Sequence, residues 1–192
     1  MNPEFFYHAS NIGNLTKILP LSDVRESENK ACYFTSLKEY ALFYLRDMEI
    51  NHVTCGVSEN GTIIYHEQFP NQLKVIYQRR GGYIYTCENN DNVITAHANG
   101  VWMANHPISV VAEEHIEDVY TEILKSEETG KIQIVRYELL SQEKKHEIVI
   151  MMKNYIIRNN LLFNDSAKAR FWAENFPQSW KLAKIKQLNK FE

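Results

Sequence analysis

Residues 31–45, ACYFTSLKEYALFYL, contain a β-strand pattern that passes directly into a helix pattern. The segment Ala31–Thr35 is rich in β-prone residues, which predicts a strand. Ser36 and Glu39 have the spacing of a capping box, in which each side chain accepts a free backbone N–H at the start of a helix. Apolar residues then recur at helical spacing as far as Leu45, so we expect a strand followed by a helix.

The flanking segments add further elements on both sides. Upstream, Glu4–Ser10 is aromatic and apolar, which indicates a buried first strand. Asn11–Leu19 is predicted as a short helix that ends before Pro20, because a proline disfavours helix at the preceding residue. Downstream strands are predicted at His52–Val57, Thr62–Glu67, Leu73–Tyr77, Tyr83–Thr86, Val101–Met103, Ile108–Val111 and Ile132–Tyr137. Apolar spacing predicts helices at Ile116–Leu124, at Ile148–Ile156 and after Asp165, with an interruption at Pro177.

This order of elements predicts an α+β fold rather than a doubly wound sheet. Strands and one helix come first, the middle is rich in strands, and helices come last. We therefore divide the chain into an α+β core over residues 1–140 and a helical C-terminal extension over 141–192 that packs on the core.

Composition restricts the class of protein. The chain has 192 residues, 44% of them hydrophobic and 23% charged, which is typical of a globular domain. Its net charge of -3 provides no global attraction to nucleic acid or to an anionic membrane. The three cysteines have no CxxC spacing, and we find neither a signal peptide nor an apolar run of membrane length. The expectation is a cytoplasmic protein with no membrane contact.

Two short motifs and one tyrosine carry the functional signal. They are Tyr7-His8-Ala9-Ser10, Tyr33-Phe34-Thr35-Ser36 and Tyr44, which lies eleven positions after Tyr33. Together they resemble the diphtheria-toxin-like and poly-ADP-ribose-polymerase-like branch of the ADP-ribosyltransferase superfamily. That branch has a histidine on its first strand, a tyrosine on its second strand and a second tyrosine in the following helix. The resemblance covers roughly residues 5–118 and implies an ADP-ribosyltransferase-like split β-sheet with flanking helices.

The resemblance also implies a ligand, NAD as substrate or an ADP-ribose-type nucleotide, and a role for each residue. His8 would orient a ribose by a hydrogen bond, and Tyr33 and Tyr44 would flank the nicotinamide ring by stacking. His8 and Tyr33 are the candidate catalytic residues. We expect them on neighbouring strands with side chains opening into one cleft. Ser10, Thr35, Tyr44 and Val101 are the candidate cofactor-binding residues.

The chain departs from the family at the third position, where the branch places an acid at the start of a later strand. The matching stretch is Asn99-Gly100-Val101-Trp102-Met103, which puts Val101 in the place of the acid. Asn-Gly-Val-Trp also resembles the closing motif of the RNA 2′-phosphotransferases, which have the same fold. The sequence thus leaves three functions open: ADP-ribose transfer to an unknown acceptor, a non-catalytic ligand- or partner-binding module, and an RNA 2′-phosphate-processing relative. A toxin, antitoxin or phage-defence role is not tested by sequence.

Other groups have simpler interpretations. Glu88, Glu113, Glu114, Glu117 and Asp118 are candidate replacement acids, but acids at a helix N-terminus typically complement its dipole. Arg79-Arg80-Gly81-Gly82 could hold a phosphate and is more typical of a solvated loop. His97, His106 and His115 do not have the spacing of a metal site, and no metal is predicted. The basic, aromatic segment Ser166–Glu192 fits an amphipathic helix better than a nucleic-acid surface.

Overall fold

The computed structural model describes residues 3–24, 30–89, 93–98 and 100–188, and its secondary structure is mixed α and β. The strands are β1 (Phe5–Ser10), β2 (Lys17–Ile18), β3 (Ser22–Asp23), β4 (Lys30–Thr35), β5 (Thr54–Val57), β6 (Ile63–His66), β7 (Gly82–Glu88), β8 (Thr95–Ala98), β9 (Val101–Ala104), β10 (Ile108–Ile116) and β11 (Ile132–Val135). The helices are α1 (Lys38–Ala41), α2 (Gln72–Tyr77), α3 (Val119–Glu128), α4 (Gln142–Arg158), α5 (Ala167–Asn175) and α6 (Pro177–Leu188). Short 3₁₀ turns are formed by Leu42–Tyr44 after α1, by Tyr137–Leu139 after β11 and by Leu161–Phe163 after α4.

The chain separates into two compact units. The first contains Met1–Arg46, Cys55–Tyr65 and Leu73–Ile134. The second contains Asp47–Thr54, His66–Gln72 and Val135–Glu192. The sequence predicts a single boundary at residue 140. It does not predict that two short internal segments belong with the C-terminal helices, because membership of a unit depends on long-range contacts that local patterns do not encode.

An antiparallel sheet forms the first unit, with β1 at its centre. Within the described residues the strands follow the order β2-β10-β7-β1-β4-β9-β8, and β3 pairs with β4. Side chains alternate between the two faces of a strand, so one face of β1 and β4 is buried in a core that includes Phe6, Cys32 and Phe34. Phe6 is fully buried and its ring meets Trp102 of β9 edge-on, at 5.0 Å between centroids. This core fixes the faces on which the neighbouring functional residues lie.

A smaller sheet, in the order β11-β6-β5, belongs largely to the first unit as well. Its aromatic contacts are made by Tyr65 of β6, Tyr77 of α2 and Phe43 of the first 3₁₀ turn. Phe43 stacks on Tyr65 at 5.2 Å and meets Tyr77 edge-on at 5.8 Å. All three are almost completely buried, so this aromatic cluster anchors the turn that follows α1.

The second unit is built around the C-terminal helices. Ser141 and Ser166 cap α4 and α5, each accepting a backbone N–H three residues on, as an N-cap serine does. Trp172 is fully buried, stacks on Tyr155 at 4.3 Å and donates its indole N–H to the carbonyl of Ile50 at 3.1 Å. The prediction that helices follow Asp165 and are interrupted at Pro177 is confirmed, since α5 ends at Asn175 and α6 begins at Pro177.

Two of the predicted elements have a different conformation in the structure. The predicted helix at Asn11–Leu19 is wrong, because Lys17 and Ile18 form β2 and pair with β10 instead. The predicted strand at Leu73–Tyr77 is a helix, α2. In that segment Leu73, Ile76 and Tyr77 are buried, and their 3.6-residue period was hidden by the short length of the run.

The capping box at Ser36 is also wrong. Leu37 occupies the N-cap position of α1 with no side-chain cap, and its own N–H is accepted by the Oγ1 of Thr35 at 3.2 Å. The threonine one residue before Ser36 therefore closes the turn between β4 and α1. A local hydroxyl-to-backbone bond of this kind competes with the capping box for the same backbone groups.

Candidate functional site

The three motifs singled out in the sequence lie on three neighbouring strands of the large sheet. His8 lies on β1, Tyr33 on β4, and Val101 begins β9. β1 pairs with β4, and β4 pairs with β9, both antiparallel. Segments that are far apart in sequence are thus brought to one part of the sheet, and the expectation that His8 and Tyr33 occupy neighbouring strands is confirmed.

The two sides of β1 are paired differently. Toward β7 the register is continuous over all six residues of β1, from Phe5 opposite Glu88 to Ser10 opposite Tyr83. Toward β4 the register has a single pair, Tyr7 opposite Thr35. Beyond this pair, the contact shown between the two strands is made by the imidazole of His8.

His8 makes a hydrogen bond across this gap to the strand that carries the second motif. Its Nδ1 lies 2.8 Å from the backbone carbonyl oxygen of Tyr33. A carbonyl oxygen can only accept, so Nδ1 must carry the proton. In the neutral ring this leaves Nε2 with a free lone pair, which makes it a hydrogen-bond acceptor of defined orientation.

The electrostatic environment favours this neutral form of His8. Burial lowers the pKa of His8 from its ordinary value of 6.5, and this effect outweighs the hydrogen bond to the Tyr33 carbonyl, which acts to raise the pKa. The ring is therefore uncharged at neutral pH. The ring can accept a hydrogen bond from a ligand hydroxyl, but it does not supply a positive charge to the site.

The rings of His8 and Tyr33 do not open into one cleft, and that expectation is wrong. Residues directly opposite each other share a face, so the Tyr7–Thr35 pair places His8 on the face of Phe34 and Tyr33 on the other face. The ring contacts agree with this. His8 lies 5.8 Å from the ring of Phe34, and Tyr33 lies 5.7 Å from the ring of His97.

Tyr44 lies in the 3₁₀ turn that follows α1, and this turn packs against β1. Its neighbours are the ring of Tyr40 at 5.8 Å and the guanidinium carbon of Arg46, also 5.8 Å from the ring centroid. Among the ring contacts of the described residues, none joins Tyr44 to Tyr33. The stacking of a nicotinamide between these two rings stays a prediction.

The hydroxyls of the two motifs are used within the fold. Ser10 Oγ accepts the backbone N–H of Ile12 at 3.1 Å, and Thr35 is 1% exposed with its Oγ1 in the turn to α1. Ser10 is half-buried and retains access to solvent. Of the two, Ser10 is therefore the better placed to meet a ligand.

Val101 lies directly opposite Thr35, which itself lies opposite Tyr7. The three side chains form a row across β1, β4 and β9 on one face of the sheet. Gly100 precedes this row with a φ of +72°, a conformation that favours glycine, while Asn99 lies outside the described residues. Val101, which the sequence resemblance predicts to stand in place of an acid, is a half-buried apolar side chain.

Two of the candidate replacement acids lie on a strand and have partners there. Glu113 and Glu114 lie in β10, not at a helix N-terminus. Glu113 accepts the backbone N–H of Asn14 at 2.6 Å, and Glu114 forms an ion pair with Lys38.

Asp118 behaves as the dipole interpretation predicts. It is the N-cap of α3 and accepts the N–H groups of Thr121 at 2.8 Å and Arg79 at 2.6 Å. Partial burial acts to raise the pKa of Asp118. The hydrogen bonds act to lower it and together have the larger effect, so the pKa lies below its ordinary value. The carboxylate stabilises the start of the helix.

The remaining candidates of the sequence have structural roles. The carbonyl of Arg80 accepts the N–H of Val119, and Gly81 lies against the end of β10, so the glycines at 81 and 82 serve packing. Cys32 is buried and burial raises its pKa to about 11, which fits a small core residue. Within the described residues no group of histidines, cysteines and acids could hold a metal ion. In the C-terminal segment Trp172 and Phe176 are core residues, whereas Lys190 and Phe191 lie outside the described residues.

Sequence reasoning missed Arg46 and Tyr85. Tyr85 lies opposite both His8 and Glu113 in register, and its hydroxyl holds the loop after β1 by donating to the Ile12 carbonyl at 2.7 Å. No local pattern marks a tyrosine on a strand for such a role. Arg46 could have been noticed, since it follows Tyr44 by two residues.

Comparison of the chain with family models, with curated proteins and with solved structures gave no match. In the part of the chain that the structure describes, none of the helices has the length and apolar character needed to span a membrane. The geometry of the three strands is therefore the main evidence on function.

Proposed function

We propose that this protein has an ADP-ribosyltransferase-like fold and binds NAD or an ADP-ribose-type nucleotide at the gap between β1 and β4. The observation that carries the proposal is the His8 imidazole, which crosses that gap to the Tyr33 carbonyl at 2.8 Å. This contact leaves Nε2 of a neutral histidine free to accept a ribose hydroxyl. A histidine on the first strand that orients a ribose is what the sequence resemblance implies.

The convergence of the three motifs supports the same proposal. The family places its histidine and tyrosine on the first and second strands and its acid at the start of a later strand. Here His8, Tyr33 and Val101 lie on adjacent strands, although 93 positions separate His8 from Val101. A chance resemblance of three short motifs would not require their strands to be neighbours.

The turn that carries Tyr44 covers one face of the sheet, and His8 lies on the other. His8 lies on the face of Phe34, whereas Tyr33 shares its face with Ala9, which lies opposite Ile84. Leu42, in the same turn as Tyr44, lines a small pocket with Ile84. Tyr44 therefore belongs to the turn that covers the face of Tyr33. Because β1 is the middle strand of the sheet and paired strands lie only about 4.8 Å apart, a nucleotide at His8 does not reach the tyrosines through the sheet, and the ribose assignment depends on His8 alone.

The apolar Val101 supports ligand binding more than efficient transfer. When nicotinamide leaves, positive charge develops on the ribose, and a carboxylate normally stabilises it. Val101 cannot do so, and Glu113 is bound to Asn14. We therefore place the protein with ligand-binding members of the fold in which transfer is slow.

Calorimetric titration with NAD and with ADP-ribose tests the proposal. His8→Ala and Tyr33→Ala should each weaken binding by about 1 kcal/mol, or roughly fivefold, through the loss of one hydrogen bond or one stacking ring. His146→Ala, at an exposed position on α4, is the matched control and should bind as the native protein does. The absence of both heat and a thermal shift at millimolar ligand would overturn the proposal.

A further inference from the structure

A cavity of about 150 Å³ lies in the second unit, lined by residues 68–70, by the 3₁₀ turn after β11, by α4 and by the start of α6. Its apolar lining includes Phe69, Tyr137, Ile148, Val149 and Phe176. Phe69 and Phe176 are buried, and their rings meet edge-on at 5.1 Å. A cavity of this volume is large enough to hold an aromatic ring of the size of benzene.

One side of the cavity is formed by residues 175–179, where α5 ends and α6 begins. Ser179, in the first turn of α6, lines the cavity and is only 1% exposed. Among the described residues its hydroxyl makes no hydrogen bond. A buried hydroxyl without a partner is uncommon in native proteins and costs free energy. A hydrogen-bond acceptor inside the cavity removes that cost.

The start of α6 adds backbone donors on the same side. The first helical hydrogen bond of α6 is donated by Trp180 to the Phe176 carbonyl at 2.9 Å. The N–H groups of Gln178 and Ser179 precede that bond, and no acceptor for them occurs among the described residues. Both residues line the cavity. Because α6 is 12 residues long, its dipole places partial positive charge at this end.

The surroundings of the cavity favour a negatively charged ligand. None of the described lining residues is an acid. The ammonium of Lys145 lies 5.3 Å from the ring centroid of Tyr137, and Glu67 accepts the backbone N–H of Tyr137 at 3.2 Å without lining the cavity. Within Pro177–Leu188, α6 has no acid and three lysines, Lys181, Lys184 and Lys186. A carboxylate at the start of α6 therefore meets donors and positive charge.

We propose that this cavity binds a small monocarboxylic acid with an apolar body of about the size of benzoate. The carboxylate accepts hydrogen bonds from the Ser179 hydroxyl and from the N–H groups of Gln178 and Ser179. The apolar body lies against Phe69, Val149 and Phe176. Hydrogen bonds to a charged acceptor are stronger than those between neutral groups, so the carboxylate orients the ligand. The inference is independent of the proposed function, since no residue of the three motifs lines this cavity.

Three probes separate the two parts of this ligand. Benzoate has both the charge and the ring, benzamide has the ring without the charge, and sulfate has charge without the ring. Each is titrated into the native protein, Ser179→Ala, Val149→Phe and the control Ser109→Ala, which removes an exposed hydroxyl from β10. Binding is followed by NMR through the backbone amide signals of residues 178 and 179. Thermal melting without ligand identifies any variant that does not fold.

Benzoate should bind the native protein with a Kd on the order of millimolar, which is typical of so small a ligand. It should shift the amide signals of residues 178 and 179 more than those of the first unit. Benzamide and sulfate should each bind about tenfold more weakly, because each lacks one part of the ligand. Ser109→Ala should bind benzoate as the native protein does.

Ser179→Ala should weaken benzoate binding by about tenfold, because a hydrogen bond to a charged acceptor is lost. This variant should fold, since the hydroxyl that it removes has no partner in the protein. Val149→Phe should abolish benzoate binding by filling the cavity. If Val149→Phe does not fold, Ser179→Ala decides the question.

Four results would overturn the proposal. The first is benzoate that leaves the amide signals of residues 178 and 179 unchanged in the native protein. The second is equal affinity of benzoate for the native protein and for Ser179→Ala. Sulfate that binds as tightly as benzoate would show a general anion site at the start of α6. Benzamide that binds as tightly as benzoate would show an apolar cavity with no preference for a carboxylate.

Discussion

At the scale of single residues, His8 carries the most information because its protonation and its hydrogen bond are linked. Burial holds the pKa of His8 below 6.5, so the folded protein keeps this ring neutral where the unfolded chain would protonate it. Below pH 6.5 the unfolded state binds more protons, and the free energy of unfolding should fall as the pH is lowered toward the folded pKa of His8. Above pH 6.5 this contribution is constant.

Urea unfolding between roughly pH 5 and 8 measures this effect. His8→Gln cannot titrate and should show a smaller pH dependence than the native protein. His146→Gln removes an exposed histidine and should retain the native slope. Equal slopes for His8→Gln and the native protein would show that the His8 ring is not held neutral by the fold.

The residue types of the site could be predicted from the sequence, but their orientation could not. Tyr-His-Ala-Ser and Tyr-Phe-Thr-Ser identify residues, whereas the face of each side chain depends on the strand register. A shift of register by one residue moves every side chain to the other face of a strand. The single pair between Tyr7 and Thr35 decides the faces of His8 and Tyr33, and no local pattern encodes that pair.

At the scale of elements, the join between the start of β7 and the end of β10 depends on a close backbone approach. A Cβ at Gly81 would lie 2.7 Å from the carbonyl oxygen of Ile116, and backbone cannot move aside as a flexible side chain can. Gly81→Ala should therefore destabilise the protein by about 1–3 kcal/mol. Gly56→Ala is the matched control, because a Cβ there meets no atom within 4 Å.

Chemical denaturation of both variants provides the test. Gly81→Ala should shift the midpoint to lower denaturant, while Gly56→Ala should remain near the native value. Equal midpoints would show that the β7–β10 join tolerates a side chain. The result also bears on Arg79-Arg80-Gly81-Gly82, since strong destabilisation is expected of packing glycines and not of a solvated phosphate-binding loop.

Most elements could be predicted from local patterns, and the exceptions have a common cause. β6, β9 and α4 follow clear periodicities, and they form close to where the sequence places them. Asn11–Leu19 and Leu73–Tyr77 are short runs in which tertiary pairing, not local propensity, decides the conformation. β2 forms because it pairs with β10, and β10 runs five residues beyond the predicted Val111 to reach Ile116.

At the scale of the whole molecule, a carboxylate introduced at position 101 tests whether the three motifs form a site that can release nicotinamide from NAD. Val101→Glu would place a carboxylate in the row that contains Tyr7 and Thr35. Removing a preorganised charged or polar group of this kind typically costs ~10²–10³ in rate, so release of nicotinamide from NAD by the native protein should be slow. Val101→Glu should increase that rate if His8 and the tyrosines already hold NAD in a bent conformation.

Release of nicotinamide from labelled NAD is measured for the native protein, Val101→Glu, Val101→Gln and Val101→Glu combined with His8→Ala. Glutamine has the shape of glutamate without its charge, so Val101→Gln should show no gain. Loss of the gain on addition of His8→Ala would show that His8 orients the ribose of the same NAD molecule, although it lies on the other face of β1. Rapid release by the native protein would contradict the alignment of residues 99–103 and point to another acid in the site. If all four proteins bind NAD and none releases nicotinamide, Val101 does not occupy the place of the acid, and the chain binds its ligand without the geometry for transfer.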